Sequence, residues 1–160
     1  MNNLALRHTS NMNYTSICKA FNNLTVTELY QILKLRSEVF VVEQNCVFLD
    51  QDDKDYACHH LMLFDDGQEP VAYARVVPAG ISYAEASIGR IVTSSKVRGK
   101  GAGKVLVQMA IDSARQLYGD VPLRIGAQLY AVKFYEIFGF KAEGDVYDED
   151  GIDHIEMVLT

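Results

Sequence analysis

The chain has 160 residues, of which 49% are apolar, and a formal net charge of −6. This length fits a single domain with its own core, and the acidic balance argues against nonspecific nucleic-acid binding, because phosphate contacts need a basic face. No apolar run approaches the roughly 20 residues of a membrane span, and Met1 to Leu4 lack the charged segment that opens a secretory signal.

The cysteines are Cys18, Cys46 and Cys58, and they show no Cys-x-x-Cys spacing. An odd, unclustered set argues against both a disulfide framework and a zinc site. We therefore expect a cytoplasmic protein in a reducing setting, with no metal.

The chain begins with a polar, Asn-rich stretch, residues 1–13, which has no apolar period. It predicts a loosely ordered N-terminal extension ahead of a domain formed by residues 14–160. Residues 14–21 alternate weakly and predict the first strand. Thr25 and Glu28 then carry the signature of a capping box, and apolar residues at helical spacing extend the predicted helix to Phe40.

The rest of the chain alternates between strands and helices. The remaining predicted strands are 59–64, 71–77, 84–93, 122–127, 140–146 and 154–159, and the predicted helices are 102–118 and 132–138. Asp66-Gly67 indicates a hairpin between the first two of these strands, and Gly139 is placed to end the last helix in a left-handed turn.

This order predicts an α/β fold with a mixed sheet of about seven strands, mostly antiparallel and flanked by helices. Only the strands on either side of helix 102–118 need be parallel, because only they are joined by a helical crossover.

A glycine-rich turn opens helix 102–118 and is the most informative segment. It reads Arg98-Gly99-Lys100-Gly101-Ala102-Gly103-Lys104. Glycines allow a ligand to approach the backbone closely, and the free N–H groups of a helix start form an anion site. A Walker loop and a dinucleotide fingerprint are excluded by the residue at position 98 and by the glycine spacing. The turn therefore predicts a pyrophosphate site.

The pattern R-G-x-G-x-G resembles the coenzyme A pyrophosphate loop of the GNAT acetyltransferases, and the chain resembles their ElaA-like branch. The matching segments run from Leu35-Arg36-Ser37-Glu38-Val39-Phe40-Val41-Val42-Glu43-Gln44 through Ala74-Arg75-Val76, Ile88-Gly89-Arg90-Ile91-Val92, Gly126-Ala127-Gln128 and Phe134-Tyr135-Glu136-Ile137-Phe138-Gly139-Phe140 to Tyr147-Asp148-Glu149-Asp150-Gly151-Ile152. One departure is Gly151-Ile152-Asp153-His154, where the branch usually reads Gly-Ile-Pro-His.

The resemblance implies the GNAT fold, with a splayed parallel pair of strands at the centre of the sheet, and acetyl-CoA as cosubstrate. Acetyl transfer to a small-molecule or peptide amine would occur by direct attack on the thioester. From the acidic balance and the lack of an apolar span we expect no nucleic acid and no membrane as partner. A homodimer is left open. The residues expected to bind coenzyme A are Ile91, Val92, Thr93, Arg98, Gly99, Lys100, Gly101, Ala102, Gly103, Lys104 and Gln128. A noncatalytic coenzyme A-binding sensor or interaction domain on the same fold is the alternative.

The resemblance also implies catalytic residues. Tyr135 lies four residues before Gly139, where many family members carry the Tyr that protonates the departing thiolate. Glu85, at the start of the strand that leads to the glycine turn, is the expected general base. Glu43, His60 and His154 are rival candidates for the base.

Three arginines interrupt apolar sequence: Arg36, Arg75 and Arg90. A buried arginine needs a partner, and internal ion pairs with Glu38, Glu43 or residues 50–55 are the favoured interpretation. The alternative is that at least one lacks an internal carboxylate and, with Glu43, binds an acceptor that carries an anionic group. Residues 50–55 themselves lack the glycine and glutamate of a calcium loop and are expected to be solvated.

Overall fold

The computed structural model describes residues 8–9 and 14–160 of the chain. The expected N-terminal extension lies outside the described residues, apart from His8 and Thr9, whose backbone pairs with Ser16 and Thr15.

One eight-stranded sheet forms the centre of the molecule, and its strand order is β1-β2-β3-β4-β5-β6-β8-β7. The strands are β1 (His8–Thr9), β2 (Thr15–Ala20), β3 (His59–Phe64), β4 (Ala72–Val77), β5 (Ala86–Thr93), β6 (Leu123–Gln128), β7 (Lys141–Glu149) and β8 (Ile152–Leu159). The helices are α1 (Val26–Arg36), α2 (Ala102–Tyr118) and α3 (Val132–Glu136). The predicted mixed α/β sheet is confirmed, and β5 and β6, joined through α2, are its parallel pair.

Local signals in the sequence determine several element ends. Thr25 accepts a hydrogen bond from the Glu28 amide while the Glu28 carboxylate accepts one from the Thr25 amide, so the predicted capping box is present. Gly139 has a φ of +94°, as expected for a residue that ends a helix in the left-handed region.

Helix α1 ends four residues earlier than predicted, at Arg36, and continues as a π-helix over Ser37–Glu43. The hydrogen bonds of a π-helix span one more residue than those of an α-helix, and π-helical turns occur often at functional sites. Here it turns Val39, Phe40 and Glu43 toward a cavity in the sheet.

Two apolar clusters stabilise the fold, and each contains a helix. The larger one contains residues of α2, including the fully buried Leu106 and Ala110, together with β3 to β6. The smaller one contains Ile32 and Leu35 of α1 together with Met62, Tyr73 and Val92 of the sheet. Because side chains alternate along a strand, the two helices cover opposite faces of the sheet.

No helix within the described ranges combines the length and the apolar character needed to cross a membrane.

Candidate functional site

A cavity of about 870 Å³ lies where β5 and β6 separate. These strands pair only at Ala86 with Leu123 and at Ser87 with Arg124. Beyond those pairs they diverge, and the cavity occupies the opening. The splayed pair that the family resemblance implies is therefore present. The sequence-predicted site residues that line the cavity are Glu43, Arg75, Arg90, Ile91, Val92, Thr93, Arg98, Gln128 and Tyr135.

A β-bulge in β5 shapes the cavity wall. Tyr73 of β4 pairs with Val92, but Arg75 pairs with Gly89, so β5 holds one extra residue at this point. Arg90 lies within this bulge and has a φ of +49°, which is uncommon for a residue other than glycine. Its guanidinium donates to the Asp50 carboxylate at 2.9 Å and to the Asp50 carbonyl at 2.8 Å, contacts that hold this conformation.

The glycine-rich turn lies beside the part of the cavity wall that Thr93 and Arg98 form, although Gly99 to Lys104 are not part of the lining. Gly99 and Gly101 have φ values of +76° and +79°, conformations that favour glycine. A Cβ on Gly103 would lie 3.9 Å from the Thr93 methyl group, and Thr93 lines the cavity.

The N-terminal turn of α2 has backbone N–H groups that can donate hydrogen bonds to a ligand. Gly101 is its N-cap residue, and no side chain of the described residues caps it. The first amide N–H groups of a helix lack partners within the helix and bear partial positive charge. Lys100 and Lys104 are exposed beside them and form no ion pair with the described carboxylates. This turn therefore fits a pyrophosphate group.

Two predicted cofactor residues are tied to the π-helix region. Arg98 donates two hydrogen bonds to Glu43, at 2.6 and 2.7 Å. Gln128 and Gln44 exchange side-chain amide hydrogen bonds at 3.3 Å. These contacts link the π-helix region to the glycine turn through Arg98 and to the end of β6 through Gln128. Glu43 is thus engaged by a residue of the glycine turn.

Tyr135 lines the cavity from α3 and is 9% exposed. Its ring packs edge-on against Phe134, with ring centroids 5.2 Å apart, and against Phe140 at 6.1 Å. Burial raises the pKa of the Tyr135 phenol, with a smaller contribution from Tyr130. The hydroxyl is therefore protonated at neutral pH, as a proton donor must be.

Glu85 does not line the cavity. Its carboxylate accepts hydrogen bonds from Arg124 at 2.8 and 3.0 Å, at the closed end of the β5–β6 pair. The Arg124 guanidinium lowers the pKa of Glu85 to about 2. Glu85, which directly precedes β5, is therefore hydrogen-bonded to Arg124 of β6, and it does not share the cavity with Tyr135.

The rival candidates for the base differ in their access to the cavity. His60 is 1% exposed, is held by the Tyr73 hydroxyl and the Asp55 carbonyl, and does not line the cavity. His154 of β8 does line it. The sequence did not indicate Glu149, whose carboxylate lies 3.5 Å from His154 Nε2. A period-two pattern cannot reveal which positions of β7 and β8 face one another.

The three arginines in apolar sequence all have internal carboxylate partners. Arg36, fully buried, binds Asp50 and Asp55 at 2.8 Å each. The other contacts are Arg75 with Asp52 and Asp55, and Arg90 with Asp50 and Asp52. We call these six residues the Arg–Asp cluster. The favoured interpretation, internal ion pairs with residues 50–55, agrees with these contacts.

The structure corrects one expectation and one alternative interpretation of this region. Residues 50–55 are not a solvated loop, since Asp50 and Asp55 are 2% and 7% exposed. The idea that one of Arg36, Arg75 and Arg90 lacks a carboxylate also fails, which removes the reason for assigning these arginines to the acceptor. Arg36 does not line the cavity at all.

The Arg–Asp cluster predicts a specific loss of stability in acid. Burial alone would raise the pKa values of Asp52 and Asp55, but hydrogen bonds and charge from Arg75 and Arg36 outweigh it and hold both pKa values well below their usual range. A carboxyl group with a lowered folded-state pKa contributes stability above its unfolded pKa of about 3.9. We expect the free energy of unfolding to fall progressively below about pH 5, because these carboxylates gain protons in the unfolded chain at a higher pH than in the folded protein.

Urea unfolding between pH 3 and pH 7 measures this dependence. Asp52→Asn should flatten the acid limb, whereas Asp66→Asn, an exposed substitution in the β3–β4 hairpin, should retain it. An identical acid limb in Asp52→Asn would contradict the prediction.

Among residues 14–160, no group of three or more His, Cys, Asp or Glu side chains is arranged to hold a metal ion.

Comparison with known proteins connects this geometry to a family. The family model described as "Acetyltransferase (GNAT) domain" matches residues 48–160. A UPF0039 protein of Synechocystis sp. is 42% identical over 139 residues, covering 87% of this chain and 90% of that protein. Protein ElaA of Escherichia coli is 38% identical over 138 residues, covering 85% and 90%.

Solved structures match along nearly the whole chain. An acyl-CoA N-acyltransferase from Pseudomonas aeruginosa has a TM-score of 0.85 and 40% identity, and the match covers 92% of this chain and 99% of that one. The crystal structure of Escherichia coli ElaA has a TM-score of 0.85 and 34% identity, with the same coverage.

Proposed function

This chain belongs to the GNAT acetyltransferase family, and from that premise we propose that residues 14–160 form an N-acyltransferase that transfers an acetyl group from acetyl-CoA to a primary amine. The observation that carries the proposal is the splayed β5–β6 pair, which opens a cavity between the glycine-rich turn and Tyr135. One end of this opening suits an anionic cofactor, and a buried proton donor lines its interior.

The residues proposed to hold the cofactor follow the path of the opening. The amides of Gly101, Ala102, Gly103 and Lys104, with the charges of Lys100 and Arg98, would bind the pyrophosphate. The backbone of Ile91 to Thr93 faces the gap on the β5 side, where strand β6 has moved away, and one of its N–H groups would stabilise the developing oxyanion. Gln128 lies on the β6 side.

Acetyl-CoA supplies the acetyl group as a thioester, whose carbonyl carbon accepts the amine directly. The chain must then deliver a proton to the departing sulfur. Tyr135 is the residue proposed for this role, because it lines the cavity and is held protonated by burial, which raises its pKa. A thiol has a pKa near 8.5, so proton transfer from Tyr135 to the departing thiolate is uphill on its own, and it is completed when Tyr135 recovers a proton from the nitrogen of the new amide.

The experiment that tests the function is a screen of primary amines for acetyl-CoA-dependent release of free thiol. The panel should include amino acids, polyamines, amino sugars and peptides with a free N-terminus. Turnover with any of them supports the proposal. Tight binding of acetyl-CoA with no turnover across the panel would instead favour a noncatalytic coenzyme A-binding domain.

Replacing Tyr135 with Phe should lower kcat by about 10²–10⁴-fold, the usual range for general acid catalysis. The affinity for acetyl-CoA should stay the same, because the ring and its packing against Phe134 and Phe140 remain. Steady-state kinetics and calorimetry measure the two effects separately.

Tyr118→Phe is the matched control. It removes another buried phenolic hydroxyl, one with no hydrogen-bond partner among the described residues, at a position outside the cavity. Its kcat should equal that of the parent. A parental rate in Tyr135→Phe would make Tyr135 a packing residue.

A further inference from the structure

His154 lies inside the cavity at the junction of three strands. Its position in β8 pairs with Gln128 of β6 on one side and with Tyr147 of β7 on the other. The residue is 8% exposed and lines the cavity, as Gln128 and Tyr135 also do. Rigid strands therefore hold an imidazole ring in the wall of the cavity that Tyr135 also lines.

The hydrogen bonds of His154 determine which ring nitrogen is free. Nδ1 lies 2.7 Å from the carbonyl oxygen of Ile152. A carbonyl oxygen only accepts, so Nδ1 carries the proton and a neutral ring has its lone pair on Nε2. The Tyr147 ring stacks on the imidazole, with centroids 5.7 Å apart and planes inclined by 28°, and fixes its orientation.

Glu149 provides a second hydrogen-bond acceptor, beside Nε2 of His154. Its Oε2 atom lies 3.5 Å from His154 Nε2. Two hydrogen-bond acceptors this close repel each other unless a proton or a hydrogen-bond donor lies between them. A primary ammonium group has three N–H donors in a compact arrangement, so it can bind the imidazole lone pair and the carboxylate together.

We propose that His154 and Glu149 receive the ammonium group of the acceptor, with His154 as the general base and Glu149 as the residue that positions the amine. This inference rests on the proposed acetyl transfer. It replaces the sequence-based assignment of Glu85, whose carboxylate is bound by Arg124 outside the cavity.

The other carboxylates at the cavity wall are less suited to the task. Glu43 is bound by Arg98, and Asp52 is bound by Arg75 and Arg90. A carboxylate already paired with a guanidinium is a weak base, because its charge and lone pairs are engaged. Asp150, the remaining carboxylate of the lining, lies next to Glu149 in the chain and adds negative charge that favours an ammonium.

Each turnover releases one proton to solvent. His154 Nε2 takes this proton from the ammonium, and the resulting amine forms the N–C bond while the C–S bond breaks and its electron pair leaves with sulfur. Tyr135 gives its proton to the sulfur and recovers one from the new amide nitrogen. His154 then loses its proton to water, which returns both side chains to their starting states.

The test compares His154→Ala with the parent, using the best acceptor from the amine screen. An aliphatic ammonium with a pKa near that of Lys, about 10.4, is almost wholly protonated at neutral pH. We expect kcat to fall by about 10²–10⁴-fold, with unchanged affinity for acetyl-CoA by calorimetry. Added imidazole should restore part of the rate. The loss should shrink for a fluorinated analogue of the acceptor, whose less basic nitrogen is already deprotonated.

His59→Ala is the control, because His59 is outside the cavity. A parental kcat in His154→Ala would overturn the proposal. So would an equal loss for both acceptors with no rescue by imidazole, since that pattern marks a purely structural role. Absence of any turnover by the parent would contradict the acetyltransferase function itself, which is a different result.

Glu149→Gln tests the positioning role. The amide keeps the shape of the carboxylate but loses its charge, so the KM for the amine should rise by about 10-fold or more while kcat changes less. Asp145→Asn, an exposed substitution on the same strand and outside the cavity, should leave KM unchanged. Equal KM values in Glu149→Gln and the parent would remove Glu149 from the site.

Discussion

Replacing Gly101 with Val is expected to weaken acetyl-CoA binding by at least about 100-fold, or about 2.8 kcal/mol. Gly101 is the N-cap residue of α2 and has a φ of +79°. A valine there would place a branched side chain beside the amides proposed to bind the pyrophosphate. It would also disfavour the left-handed backbone conformation that directs those amides, which costs roughly 1–2 kcal/mol.

The two effects are separated by a substitution at the other end of the same helix. Gly119 follows the last residue of α2 and has a φ of +84°, and a Cβ added to it would meet open space. Gly119 has a ψ of −168°, a combination that only glycine adopts readily, so Gly119→Val should lower the melting temperature at least as much as Gly101→Val does, while acetyl-CoA affinity stays unchanged. Calorimetry and thermal unfolding of both variants give the comparison. Parental affinity in Gly101→Val would show that the cofactor lies elsewhere.

Replacing Arg36 with Met is expected to destabilise the fold by about 3–5 kcal/mol. That range is the usual cost of removing one partner of a buried ion pair, because the remaining partner becomes an uncompensated buried charge. Arg36 is fully buried, and its guanidinium contacts both Asp50 and Asp55. Arg75 and Arg90 still contact these carboxylates, so the expected loss is toward the lower end of the range.

Glu43→Gln is the control for the Arg36 substitution. It breaks the Glu43–Arg98 pair, whose side chains are 38% and 43% exposed, and pairs of this kind contribute only about 0–1 kcal/mol. Urea unfolding at pH 7 measures both variants. We also expect Arg36→Met to leave the KM for the amine unchanged wherever it remains folded. A stable Arg36→Met protein with a selectively raised amine KM would restore the arginine to the acceptor site.

Signals confined to a few neighbouring residues allowed much of the fold to be predicted. The Thr25–Glu28 capping box and the glycine turn at 99–103 are each encoded within one turn of chain. The parallel pairing of β5 and β6 followed from the helical crossover between them. These features need no knowledge of distant residues.

Features that depend on distant residues were not predictable in the same way. Glu85 looked like a base because of its distance from the glycine turn, but Arg124, its partner across the parallel strands, is 39 residues away. The β5 bulge and the burial of Asp50 depend on each other through Arg90. Acidic residues in a loop are normally solvated, and only the convergence of three arginines reverses that preference here.

The sheet consists of two sets of strands, which we call panels, and backbone pairing links them at one end only. One panel contains β1 to β5 and the other contains β6 to β8, and their direct backbone connection is limited to the pairs at Ala86 and Ser87. The β5 edge that faces the gap therefore presents N–H and C=O groups that have no neighbouring strand. An extended ligand with amide groups, lying in the gap, would serve as a surrogate strand. Its binding should slow hydrogen exchange in both panels together and make them unfold as one unit.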